Sequence, residues 1–136
     1  MRKLKSILMV DDDNSTNFLH ELILKNAGCT EHFHFSLNGE EALNYLRQQY
    51  QSKGTLPEII FLDINMPVMN GWEFLEEFAL LPAEIRQSVK VVMLTTSVNP
   101  DDEERAISIP WVKAFRNKPV SESMIQEIAE TCLQDY

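Results

Sequence analysis

Asp63 closes the apolar run Ile59-Ile60-Phe61-Leu62, and Asp11 and Asp12 close the run Ile7-Leu8-Met9-Val10. Functional groups of a parallel α/β sheet gather just beyond the carboxyl ends of its strands, which is where these carboxylates fall. Three carboxylates at two such ends can meet in one pocket. They then need counter-charge, which a hard cation such as Mg²⁺ supplies through oxygen ligands. Two more run ends carry matching chemistry. Thr95-Thr96-Ser97 offers a hydroxyl to an anionic group on Asp63, and Lys118-Pro119 offers a point charge for a phosphoryl group. Taken singly, each has an ordinary explanation. Strand-end aspartates and hydroxyls cap turns and helices, Asp13 being well placed for that, and a lysine before a turn proline is commonly a surface charge. Their order is less ordinary, since acid pair, acid, hydroxyl and lysine stand at the ends of the first, third, fourth and fifth apolar runs. Where the first and third strands are neighbours at a switch point, all four elements face one crevice.

The elements that must position them follow from periodicity. Short apolar runs alternate with helical patterns, which predicts βα units and a parallel sheet. Strands are expected near Ser6 to Val10, Glu31 to Ser36, Glu58 to Leu62, Lys90 to Leu94 and Trp111 to Arg116. The second alternates polar and apolar residues, as an edge strand does, and the third is continuously apolar, as a central one is. The first helix is expected to be capped by Asn14 or Ser15, to bury Phe18, Leu19, Leu22 and Ile23, and to stop near Gly28. Asn38 to Glu41 reads as a capping box for a second helix with Leu43, Leu46 and Tyr50 inward. A third helix after Asn70-Gly71 buries Phe74, Leu75 and Phe78, and Leu80 to Gln87 forms a long connection with room for a helical turn. Asn99-Pro100 followed by four acids is a strong helix start, and the last helix opens at Ser121 with Ile125, Ile128, Ala129 and Cys132 inward.

The 136 residues suit one domain, 1–136, with no output domain expected. A net charge of −9 disfavours nucleic acid and anionic membranes as partners. No apolar run is long enough to span a bilayer, and the two cysteines, Cys29 and Cys132, lack metal-type spacing, so free thiols and a cytoplasmic setting are expected. His20, His32 and His34 show no partner spacing and carry no expected role.

Through Val10-Asp11-Asp12, Leu62-Asp63-Ile64-Asn65-Met66-Pro67, Asn70-Gly71, Leu94-Thr95-Thr96 and Lys118-Pro119, the chain resembles the receiver domain of two-component response regulators, from about Ser6 to Leu133. The resemblance implies a flavodoxin-like (βα)5 doubly wound sheet of strand order 2-1-3-4-5. It implies that Asp63 is the phospho-acceptor, with Asp12, Asp63 and the carbonyl of Asn65 as direct Mg²⁺ ligands and Asp11 acting through water. Thr95 corresponds to the switch hydroxyl, Lys118 to the lysine bridging acid and phosphoryl group, and Phe115 to the rotating aromatic. The Lys118-Pro119 bond is expected to be cis. The implied partners are a histidine kinase or phosphotransfer protein and a downstream protein effector, with a phosphorylation-dependent homodimer as a further arrangement. The departures are Asn70 where the family often has Asp, Ile109-Pro110-Trp111 before the fifth strand, and Thr96 in place of a common alanine.

Two other classes compete. A Mg²⁺-dependent phosphatase with an aspartyl-phosphate intermediate needs an acid two residues after its nucleophile, and Asn65 stands there. A phosphorylation-independent interaction module would have no use for the complete set of pocket residues. The expectation is therefore a switch and not an enzyme with an external substrate.

Overall fold

The computed structural model describes residues 3–96 and 99–133, the side chains of the last two excepted. Five parallel strands, β1 (Leu4–Val10), β2 (Thr30–Ser36), β3 (Ile59–Asp63), β4 (Lys90–Thr95) and β5 (Val112–Asn117), form one sheet in the order β2-β1-β3-β4-β5. The expected doubly wound order is therefore present, with β2 at an edge and β3 at the centre. The helices are α1 (Asn14–Ala27), α2 (Gly39–Gln51), α3 (Gly71–Phe78), α4 (Ala83–Ser88), α5 (Pro100–Ile107) and α6 (Glu122–Leu133). The short α4 is the helical turn for which the connection from Leu80 to Gln87 had room.

Strand alternation splits the core in two. Leu8, Val10, Ile60, Leu62, Val91 and Met93 point to one face and pack with Leu46 of α2, Phe74 and Phe78 of α3, Ile85 of α4 and Ala106 of α5. Ile7, Met9, Ile59, Phe61, Val92 and Leu94 point to the other and pack with Leu24 of α1 and Ile125, Ile128 and Ala129 of α6. A sheet covered on both faces explains why β1, β3 and β4 are almost wholly apolar. The inward side chain expected for Cys132 lies outside what is described, whereas Cys29 is a buried free thiol.

Helix starts follow local chemistry. Asp13, and not Asn14 or Ser15, caps α1 by accepting from Thr16 N–H. Asn38 caps α2 through Glu41 N–H, and the full reciprocal box forms instead at Asn70 and Glu73. Asn99 and Pro100 open α5 as expected, and Gly28 ends α1 in the left-handed conformation at φ 59°.

Two burial expectations fail. Phe18, Leu19 and Leu22 are 65%, 43% and 44% exposed, while the buried residues of α1 are Asn17, His20 and Leu24. The inward stripe at 17, 20 and 24 lies one residue round from the apolar one, because Asn17 and His20 hydrogen-bond backbone groups of Asp11 and Val120 beneath the helix. Tyr50 is exposed at the end of α2, because its hydroxyl reaches outward to hydrogen-bond the Glu84 carboxylate of α4.

Candidate functional site

β1 and β3 lie side by side with Val10 opposite Leu62, so Asp11 and Asp63 emerge together at the carboxyl edge of the sheet. Asp63 is in turn opposite Leu94, Thr95 is opposite Asn117, and the residue after Asn117 is Lys118. The register of three strand pairs thus brings residues from all parts of the chain to one place.

Asp11 is 2% exposed and Asp63 6%, while Asp12 is exposed. Carboxylate oxygens of all three lie within 4.8 Å of one another. Lys118 Nζ donates to Asp11 Oδ2 at 2.5 Å and lies 3.1 Å from Asp63 Oδ1. Asp11 is held on every side. Its Oδ1 accepts from Asp13 N–H at 2.9 Å, its N–H donates to Ser36 O at 3.0 Å, and its carbonyl accepts from Asn17 Nδ2 at 2.9 Å.

Burial raises the pKa of Asp63 above the usual carboxylate value, and the charge of Asp11 adds to the rise, with Lys118 opposing both. Burial works against the Lys118 ammonium, but its hydrogen bonds and charge pairing with Asp11 and Asp63 prevail and hold its pKa above the ordinary lysine value. Three carboxylates face one ammonium, so the site carries excess negative charge. An all-oxygen donor set with that imbalance suits a small hard divalent cation.

The loop after Asp63 is shaped by two backbone contacts. Met69 N–H closes a three-residue turn onto Pro67 O at 2.7 Å around Val68, whose φ is 66°, and Gly71 N–H then reaches Ile64 O at 2.8 Å. A Cβ on Gly71 would stand 2.7 Å from Asp63 O and 3.0 Å from Ile64 Cα, both backbone atoms that cannot swing aside. The β3–α3 connection therefore requires glycine there.

Residues 7–130 match the family description "Response regulator receiver domain". The chain belongs to that family. It is 32% identical to the probable methanogenesis regulatory protein FilR2 of Methanothrix harundinacea over 91% of this chain and 81% of that one. It is 34% identical to the response regulator Rcp1 of Synechocystis over 72% of this chain and 66% of that one. A two-component response regulator of Cytophaga hutchinsonii superposes with a TM-score of 0.91 at 31% identity, covering 98% of this chain and 99% of that one. Rcp1 in its Mn²⁺-bound form superposes with a TM-score of 0.74 at 29% identity, over 97% and 96% of the two chains. Receiver domains are signalling switches that bind Mg²⁺ or Mn²⁺ at an acidic cluster and interact with histidine kinases or phosphotransfer proteins and with effectors.

In this receiver domain the structure gathers Asp11, Asp12, Asp63 and Lys118. Thr95 is buried at the adjoining end of β4, and its carbonyl accepts the Lys118 N–H at 2.9 Å. Asn65 lies on the exposed loop beyond β3. Phe115 is half-buried on β5 opposite Met93, in a groove of about 490 Å³ shared with Asn99, Pro100, Glu103 and Met124. The Lys118-Pro119 bond is cis. Sequence reasoning missed Asn17 and His20. Asn17 holds the Asp11 carbonyl, and His20 Nε2 accepts from Val120 N–H at 3.2 Å. The signal available was their spacing with Leu24, which defines one helix stripe.

Gly71→Ala is expected to lower stability by about 2 kcal/mol, as overpacking against fixed backbone does. Because the displaced atoms belong to Asp63 and Ile64, phosphorylation should slow as well. Thermal melts and phosphorylation rates on the same preparation check both effects.

Proposed function

We propose that the chain is a phosphorylation-controlled switch in which Asp63 accepts a phosphoryl group from a phosphohistidine of a histidine kinase or phosphotransfer protein. The observation that carries this reading is the paired placement of Lys118 against both Asp63 and Asp11, at the end of a strand where Asp63 is buried but reachable. An Asp63 carboxylate oxygen attacks phosphorus in line. The bond from phosphorus to the imidazole nitrogen breaks, and that nitrogen keeps the electron pair. Lys118 turns from Asp63 toward the equatorial oxygens as their charge develops, a preorganised cation in a site of low polarity. Asp11 keeps the ammonium oriented during that exchange through the 2.5 Å contact. The Thr95 hydroxyl, at the next strand end, is the donor to the phosphoryl oxygen that Lys118 does not serve.

Asp12, Asp63 and the Asn65 carbonyl are the residues that would hold Mg²⁺ directly, with Asp11 through water. When bound, the cation neutralises the carboxylates and the incoming phosphoryl oxygens. The likeness to the Mn²⁺-bound form of Rcp1 supports this assignment.

The acyl phosphate adds charge and acceptor oxygens beside Thr95. Inward movement of Thr95 frees space for Phe115, and the surface formed by α5, β5 and α6 changes. A cytoplasmic protein effector reads that surface, and phosphorylation-dependent pairing of two copies through it is a second form of output. The proposal requires two conformations of similar free energy, biased by the phosphoryl contacts.

Intact mass after incubation with acetyl phosphate tests the reading. One phosphoryl addition is expected with MgCl2 and none with EDTA. Equal addition in EDTA, or no addition in MgCl2 together with no binding of beryllofluoride, would overturn it.

A further inference from the structure

The inner stripe of α1 is unusual in its chemistry. At the pocket end of the helix it presents Asn17 and His20, both buried, while three large apolar neighbours, Phe18, Leu19 and Leu22, face outward. Burying an amide and an imidazole in place of available leucines costs stability unless the polar atoms are used. Only half of them are. Asn17 Nδ2 donates to the Asp11 carbonyl, and His20 Nε2 accepts from Val120 N–H, while Asn17 Oδ1 and His20 Nδ1 are buried without a partner among the described residues.

The used atoms share a target. Asp11 and Lys118 form the 2.5 Å pair, and each bond from α1 fixes the backbone that carries one member of it. Asn17 holds the peptide that follows Asp11. His20 holds Val120, two residues beyond Lys118, whose own N–H is tied to Thr95 O at 2.9 Å. The backbone on either side of Lys118 is therefore anchored, to β4 before it and to α1 after it. Because Nε2 accepts, the ring proton sits on Nδ1 and the imidazole is neutral. Burial favours that neutral form, with the positive charge of Lys118 acting the same way and Asp11 acting against it.

We infer that Asn17 and His20 are positioning residues for phosphoryl transfer, acting through the Asp11 carbonyl and the Val120 N–H to aim the Lys118 ammonium. The inference rests on the proposal that Lys118 and Asp63 carry that reaction. Neither side chain touches the reacting atoms in this role. Their contribution is to hold one bridge across the α1, β1 and β5–α6 junctions, where a small displacement of the ammonium weakens its grip on developing charge.

The test compares initial phosphorylation rates in acetyl phosphate and saturating MgCl2 for wild type, His20→Leu, His20→Gln and Asn17→Leu, each with its melting temperature. Gln can place an amide oxygen where Nε2 stands, whereas Leu fills the space without an acceptor. His20→Leu should lose about tenfold in rate, the equivalent of one hydrogen bond at the transition state. His20→Gln should recover most of it. Asn17→Leu should lose a similar factor while its melting temperature moves little, since the substitution also removes the stranded Oδ1. Rates that follow melting temperature alone, or a His20→Gln variant as slow as His20→Leu, would overturn the inference. Should His20→Leu fail to fold, Asn17→Leu at wild-type rate would overturn it equally. Wild type sets the distinction from the parent reading, because a wild type that takes up no phosphoryl group sinks the proposed reaction itself.

Discussion

Asp63→Asn will take up no phosphoryl group and will melt at a higher temperature than wild type at neutral pH in EDTA. The first effect follows from the acceptor. An amide oxygen is too weak a nucleophile for the step, so the rate should fall by at least ~10³-fold. The second follows from what surrounds the carboxylate. Burial and the charge of Asp11 raise the pKa of Asp63, and Lys118 offsets them only in part. The folded protein therefore binds that proton more tightly than the unfolded chain does. Stability associated with it is fully present below the unfolded pKa of 3.8 and is lost as pH rises through the folded value. At neutral pH the whole cost of ionisation is in place, and asparagine removes it. A relief on the order of 1 kcal/mol would raise Tm by roughly 3–5 °C in a domain of this size. The gap should shrink as pH is lowered through the raised pKa of Asp63, where the wild-type carboxylate takes up its proton. It should also shrink when MgCl2 stabilises wild type. A variant less stable than wild type at every pH would show that the Lys118 contact outweighs the repulsion.

Lys118→Met will show the opposite change in stability. Lys118 is the ammonium between Asp11 and Asp63, and its side chain is 12% exposed. Without it, two buried carboxylates confront each other. Loss of one partner from a buried pair is expected to destabilise by about 2–3 kcal/mol here, somewhat below the fully buried case because part of the site is open to water. The phosphorylation rate should fall by about 10²–10³-fold, the usual effect of removing a preorganised group that meets developing charge. MgCl2 should raise the Tm of this variant more than that of wild type, since a site of greater negative charge gains more from a bound cation. Melts across a MgCl2 series and stopped-time phosphorylation measure the two effects separately. Wild-type kinetics in the variant would remove Lys118 from the reaction.

Much of this was legible in the sequence because strand ends were marked by abrupt changes of type. Leu62-Asp63 and Val10-Asp11 are such changes, and the unbroken apolar run of β3 marked it as a central strand. Phe74, Leu75 and Phe78 fall where a period of 3.6 puts them, and all three are buried. The failure at α1 has a specific cause. Its pattern contains four large apolar residues at 18, 19, 22 and 23, which outvote Asn17 and His20 in any count of hydrophobicity. What turns the helix is demand from elsewhere. A carbonyl six positions before Asn17 and an N–H one hundred positions after His20 need partners, and the second separation lies outside any local window. Tyr50 is similar, since its hydroxyl is drawn to Glu84 on the short helix α4, in a stretch read as a connection with room for a helical turn. The acidic cluster itself was readable from residue order, but the bracing of Asp11 and Lys118 by α1 needed coordinates.

The assignment of Asp63 as phospho-acceptor is tested most directly by locating the acyl phosphate. Wild type phosphorylated by acetyl phosphate in MgCl2 is reduced with borohydride, which converts an aspartyl phosphate to homoserine, and the peptides are sequenced by mass spectrometry. Homoserine at position 63, with Asp11 and Asp12 unchanged, is the predicted result. Homoserine at 11 or 12, or a phosphoryl group retained on histidine after reduction, would contradict it.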